Sequence, residues 1–289
     1  MTRVTILGLL AGLALLLTAP APFSPKRTEP PADWKLDPFY VKHVDLKGFP
    51  ILGSAKVSDQ ALFEAAYLVN QMLGDRPEIL EAMAKERVRL AVMAYDERTV
   101  DVPEHSDLKP AAYWNRRARG LGATRQRPAV SCAEENLLGF PGDPYSTENI
   151  LIHEFAHAVH EMGMRRIDPT FDARLREAFQ AAQAKGLWKD TYAATNRSEY
   201  FAEGVQSWYD TNRASDAQHN DVDTREELQA YDPALAALIA EVFGDNPWRY
   251  VRPENRPDSE RTHLAGFDRA KAPRFSWKDD PPSPREAPR

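Results

Sequence analysis

The sequence predicts an α+β fold: a small mixed sheet, then a chemically loaded helix, then a mainly helical C-terminal half. Three observations carry that expectation. Residues 88–95 form an apolar run of strand length, residues 150–160 are apolar-rich and free of Gly and Pro over a length that suits a helix, and beyond residue 170 apolar residues recur at helical spacing.

The elements follow in order. Residues 1–21 have the form of an export signal, and residues 22–34, rich in Pro and charge, read as a linker to a folded unit at 35–251. Residues 39–52 read as one or two strands broken at Gly48-Phe-Pro50. Ser58 is placed as an N-cap, residues 61–73 repeat apolar positions helically and stop at Gly74, and residues 77–85 make a second helix. The polar stretch 103–126, with Trp114, Gly120 and Gly122, reads as an overhang of a cleft or as an ordinary surface loop. Residues 127–132 are the candidate sheet edge. Later helices are expected at 170–185, closed by Gly186, and at 233–243, closed by Gly244. From 252 to 289 prolines and charges dominate, the composition of a disordered tail.

Composition narrows the partners. The net charge is −6 over 289 residues and basic residues occur only in short runs such as Arg116-Arg117, which disfavours nucleic acid and anionic membrane surfaces. At the N-terminus Arg3 precedes an apolar run over residues 4–17 and a small-residue end, Thr18-Ala-Pro-Ala21. That pattern predicts a secreted or periplasmic protein, with a monomer as the separate expectation for its assembly; Pro22 beside the expected cut leaves an uncleaved N-terminal anchor as the alternative. A single cysteine, Cys132, excludes an intramolecular disulfide framework. It reads as a buried thiol, an inhibitory thiolate on a metal or, least naturally, a nucleophile.

Residues 153–157 read His-Glu-Phe-Ala-His. Four residues advance about 6 Å and about 400° along a helix, so His153 and His157 share a face and can reach one cation. Glu154 lies roughly 100° round from His153, badly placed as a ligand of the same ion and well placed as a general base beside a water on it. His160, about 10.5 Å along the axis from His153, is too far to share the ion and reads as a cleft wall or core residue. A closed structural site would need four ligands and usually more cysteine than this chain has.

A site with an open position needs a third protein ligand, normally a carboxylate. Residues 196–209 have apolar positions 201, 202, 205, 208 and 209, with Glu199 and Glu203 one turn apart. A nearby dication would turn the repulsion of that pair into attraction. Glu199 is the expected third ligand, and Glu203 the carboxylate that orients a histidine N–H. The plainer reading makes Asn196 a helix cap, with Glu199 closing a capping box.

These motifs resemble zinc peptidases with a glutamate third ligand, specifically the anthrax-lethal-factor-like branch that includes the bacterial Pro-Pro endopeptidases. The resemblance rests on His153-Glu-Phe-Ala-His-Ala-Val159 and Glu199-Tyr-Phe-Ala-Glu203, with Tyr192 seven residues before the glutamate, and covers about residues 147–210. It implies a zincin-like domain with one zinc ion on His153, His157 and Glu199, Glu154 as base, Glu203 in support and Tyr192 as hydrogen-bond donor to the oxyanion. It also implies a peptide or protein substrate, held as an added strand on a sheet edge. The branch carries aspartate where this chain has His160. Two other classes stand beside it: a non-catalytic zinc-binding or adhesion module, and a di-iron carboxylate bundle, for which a second Glu-x-x-His is wanting.

Overall fold

The computed structural model describes residues 23–277. The expected export signal, residues 1–21, and the last part of the expected tail, 278–289, lie outside the described residues.

The N-terminal half is built on a six-stranded mixed sheet in the order β1-β2-β3-β4-β6-β5. Strands β1 (Arg27–Thr28), β2 (Lys42–Leu46) and β3 (Phe49–Gly53) are antiparallel neighbours. The β2–β3 turn places Lys47 and Gly48 at φ 52° and 84°, the left-handed pair that a two-residue hairpin of native twist requires. Two helices then cross over, α1 (Asp59–Leu73) and α2 (Pro77–Lys85), so that β4 (Arg89–Met93) returns parallel to β3. Ser58 caps α1, its side chain accepting from Ala61 N at 3.2 Å. The predicted cap, helices and strand are present, because each rests on local periodicity and turn chemistry; of the two readings for 39–52 the two-strand one holds, but the break falls at Lys47-Gly48, with Phe49 and Pro50 inside β3.

The stretch 103–126 departs from a loop. It contains α3 (Ala111–Arg117) and the two-residue strand β5 (Gly120–Leu121), which runs antiparallel to β6 (Ala129–Ala133). Strand β6 lies between β4 and β5, so residues 127–132 do not form the edge that the sequence suggested; β5 does. Two residues are too few for any periodicity to reveal.

After β6 come α4 (Glu134–Leu138) and α5 (Ile150–Ala158); the chain continues through a π turn (Val159–Met164) into α6 (Arg165–Ile167). The C-terminal half adds α7 (Phe171–Ala184), α8 (Arg197–Trp208), α9 (Arg225–Tyr231) and α10 (Pro233–Phe243). Helix α5 joins the two halves. Its Leu151, Ile152, Phe155 and Ala156 are fully buried, and the Phe155 ring meets that of Phe49 edge to face at 5.7 Å. Burying one such ring contributes about 2–3 kcal/mol, and the same packing fixes which face of α5 turns to the cleft. Gly204 of α8 gives way to α10: a Cβ there would stand 2.6 Å from Leu235 Cδ2.

Both segments expected to be extended or disordered carry ordered contacts. In the expected linker β1 pairs with β2, and the Phe23 ring packs 6.0 Å from that of Tyr67. In the expected tail, residues 252–277 fold against the body. Arg256 makes paired hydrogen bonds of 2.9 and 2.6 Å to Glu64 of α1, and His263 Nε2 lies 2.8 Å from the same carboxylate. Burial alone would raise the Glu64 carboxyl; Arg256 and His263 outweigh it and hold the group below its usual range. Arg256 and His263, which a disordered tail would leave in water, thus pair a buried carboxylate, where an unpaired charge would be costly. Among the described residues no helix is long and apolar enough to cross a membrane.

Candidate metal centre

Two capped helices build the site. Asn149 opens α5, its side chain accepting from Ile152 N at 3.0 Å, while Asn136 Oδ1 accepts from Ile150 N at 2.9 Å. Asn196 opens α8, accepting from Ser198 N at 2.8 Å and Glu199 N at 3.0 Å. Asn196 is therefore the cap that the plainer reading named, but Glu199 does not close a capping box. Its carboxylate turns across to α5.

There, three donor atoms converge. Glu199 Oε2 lies 3.1 Å from His153 Nε2 and 3.3 Å from His157 Nε2, and the two Nε2 atoms are 3.1 Å apart. Donors held tetrahedrally at about 2.1 Å from zinc stand roughly 3.4 Å from one another, so the triangle has the size of such a coordination face. Polar contacts stand behind both rings. Gln206 Oε1 stands 2.8 Å from His153 Nδ1, and Ser198 Oγ lies 2.9 Å from His157 Nδ1. An Nδ1–H donated to Gln206 Oε1 turns the His153 Nε2 lone pair to the triangle, and Ser198 Oγ can accept from His157 Nδ1 in the same way, so that both rings can offer Nε2 to one cation.

The electrostatics agree. Burial opposes charge on His153, but the hydrogen bond to Glu199 and the fields of Glu154 and Glu203 outweigh it and lift its pKa to about 10. Burial likewise opposes ionisation of Glu199, yet the two histidines hold its carboxyl far below the usual range. The pocket asks for a positive charge, and a set of two imidazoles and one carboxylate suits a divalent zinc ion with one position left for water. These residues fit the metal.

Glu154 lines the same cleft, of about 360 Å³, and its carboxylate has no hydrogen-bond partner among the described residues. Burial raises its pKa against the pull of His153 and His157. Backbone presses close to it: a Cβ on Gly122 would stand 2.8 Å from His157 Cβ and 3.5 Å from Glu154 Oε2. Tyr192, in a short 3₁₀ turn (Tyr192–Ala194), donates from Oη to Glu199 Oε1 at 3.1 Å, and its backbone N donates to Gln218 O at 2.7 Å. All five residues that the sequence grouped as ligands, base and tyrosine stand around one cleft.

Glu203 was expected to orient a histidine N–H. Gln206 takes that bond; Glu203 Oε1 lies farther off, 3.5 Å from His153 Nδ1, and Oε2 is 3.3 Å from His219 Nε2. Gln206 is itself held by Glu148 Oε2 at 3.1 Å. Sequence reasoning missed Gln206, Ser198, Glu148, His219 and Arg117, all but Ser198 and Gln206 lining the cleft. The one available signal was that Ser198 and Gln206 flank Glu199 on the same helix.

His160 is a core residue. It is fully buried, its Nε2 lies 3.1 Å from Asp172 Oδ1, and its ring packs against Phe171 and Phe201. Cys132 is also buried, and burial pushes its thiol well up, which fits the inert reading and removes it as a thiolate ligand.

No family model matches the chain, and no curated protein matches it. Among solved structures it is similar to the Pro-Pro endopeptidase from Paenibacillus alvei, at 19% identity and a TM-score of 0.37, over 67% of this chain and 95% of that one. That degree of likeness carries no function across.

Proposed function

We propose that the protein is an exported zinc-dependent peptidase, acting as an endopeptidase on peptides or proteins. The observation that carries the reading is the triangle of His153, His157 and Glu199 donor atoms, with Glu154 beside it and no hydrogen-bond partner to its carboxylate among the described residues. His153, His157 and Glu199 would hold the metal. When bound, zinc supplies a Lewis acid and brings the pKa of a bound water toward about 7.

The chain's own residues account for the rest. Glu154 accepts the proton of the attacking water and returns it to the departing amine. Tyr192 donates from Oη to the carbonyl oxygen as negative charge develops there, a contribution of roughly 3 kcal/mol where such donors have been removed elsewhere. Strand β5 pairs with β6 on one side only, and its Gly120 and Leu121 line the cleft; an extended peptide adding to that open edge would lie across Glu154. That edge is what favours a polypeptide over a small ester or amide. Export rests on the N-terminal pattern of Arg3, the apolar run and Ala21.

The test is Glu154→Gln in the zinc-loaded chain. Zinc content should stay at one per chain while peptide hydrolysis falls by about 10²–10⁴-fold. Unchanged hydrolysis would remove Glu154 as base; absence of any hydrolysis in the parent would favour the non-catalytic zinc module.

A further inference from the structure

The cleft is lined by two arginines, Arg117 and Arg213. Arg213 is neutralised: its Nε lies 3.1 Å from Glu148 Oε1 and 3.5 Å from Asp216 Oδ2. The cleft histidine outside the triangle is likewise held, His219 lying 3.3 Å from Glu203 Oε2 and 2.7 Å from Asp216 Oδ1. Arg117 differs. It ends α3, is half-buried, hydrogen-bonds the Tyr192 phenol and lies near enough to those of Tyr145 and Tyr113 to interact with them; among the described residues it has no carboxylate partner. Glu154 feels its field without pairing with it.

A guanidinium in a part-desolvated wall of phenols keeps its charge at any working pH and has five donors to satisfy. Phenols satisfy them weakly and leave the charge uncompensated. Of the cleft carboxylates, Glu148, Glu199 and Glu203 are engaged elsewhere, and Glu154 lends Arg117 its field but makes no ion pair with it among the described residues. The donors of Arg117 are thus left for a paired anion that arrives with the substrate.

Resting on the peptidase reading, we infer that Arg117 is a specificity residue that binds a carboxylate of the substrate within a residue or so of the scissile bond. The position follows from the chain of contacts: Arg117 faces Tyr192, and Tyr192 Oη is 3.1 Å from the Glu199 carboxylate. A planar carboxylate meets a guanidinium through two parallel hydrogen bonds, which gives direction as well as attraction. Two sources share that chemistry: an aspartate or glutamate side chain next to the cleaved bond, or the terminal carboxylate of a peptide cut close to its end. The acidic floor repels both unless the anion is led to Arg117, which makes the selection sharper than attraction alone would.

The experiment uses zinc-loaded full chain and peptide pairs that differ only in charge: Asp against Asn or Glu against Gln at each position flanking the cut, and a free C-terminal acid against its amide. The acidic member should be cleaved with a kcat/KM about tenfold or more above its neutral twin. Preference that follows the side chain identifies the first source, preference that follows the free acid the second. Arg117→Gln should bring the pair to parity by losing the acidic member alone, and Arg117→Lys should keep part of the preference, with zinc content unchanged in both. Parity in the parent chain, or an equal loss of both members in Arg117→Gln, overturns the inference while leaving the peptidase reading intact. Binding of the same pairs to Glu154→Gln, followed by fluorescence anisotropy, separates the two ideas. If no peptide is cut, tighter binding of the acidic member that disappears on adding Arg117→Gln upholds the carboxylate site, and equal binding sinks it.

Discussion

Two histidine–carboxylate clusters share the long helical run from 150 to 167, and they differ in what surrounds them. At one, His153, His157 and Glu199 bring three donors within 3.3 Å of one another around a cleft. At the other, His160, Glu161 and Asp172 also bring ligand atoms within 4.8 Å. There the positive charge is already supplied: Asp172 Oδ1 lies 2.8 Å from Arg197 Nε and 3.4 Å from Arg165 Nη2, and its Oδ2 is 2.9 Å from Arg176 Nη2. Burial alone would raise the Asp172 carboxyl; Arg197, His160 and Arg165 hold it far below its usual range. Donor types in a cluster do not make a metal site. What decides is whether the protein's own cations have filled it.

That contrast can be broken. The largest expected effect is at the first cluster: His157→Ala should abolish stoichiometric zinc binding and, with it, peptide hydrolysis, whereas His160→Ala should retain one zinc per chain. Metal analysis of the two variants side by side decides it, and loss of zinc from His160→Ala would show that the clusters had been told apart wrongly.

Next in size is Asp172→Ala, which takes the carboxylate from Arg197, Arg176 and His160, while Arg165 keeps Glu161 at 2.8 Å. With the arginines part-exposed and screened by solvent, it should cost about 1–2 kcal/mol of stability, read as a lower urea midpoint, with zinc affinity unchanged. A comparable effect is expected of Gln206→Leu, which removes the acceptor behind His153 and should weaken zinc about 10–100-fold in a competition titration; an unchanged affinity would mean that Glu203 takes over the bond.

The smallest effect is on pH dependence. His160 has its pKa lowered by burial, against the pull of Glu161 and Asp172. A folded value below the unfolded ~6.5 means that the native state binds fewer protons, so its contribution to stability is complete above that pH. It is lost as pH falls through 6.5 toward the folded value. The difference in urea midpoint between the parent and His160→Phe should therefore narrow on acidification from pH 8 to pH 5.

Legibility of the fold followed the range of the interaction. Ser58, Gly74 and the 61–73 spacing specified α1 within one turn on either side, and the 77–85 and 233–243 helices were equally plain. The edge strand was not, because β5 is two residues long and owes its place to pairing with β6. The stretch 252–277 misled through its composition: its charges are partners for buried groups such as Glu64, 192 residues away from Arg256 in the chain.

The site divides the same way. Spacing put His153, Glu154 and His157 on neighbouring faces of one helix, and Glu199 and Glu203 one turn apart on another. Those are consequences of 3.6 residues per turn, available before anything packs. That Glu199 turns toward α5 instead of back to Asn196, that Gln206 stands closer to His153 than Glu203 does, and that Arg117 enters the cleft with no carboxylate paired to it among the described residues are facts of how α3, α5 and α8 are placed. A sequence states which donors a chain owns and at what helical phase. Which of them converge, and which are already neutralised by an arginine from elsewhere, is settled only when distant segments are brought within a few ångströms, because charge compensation acts through space and not along the chain.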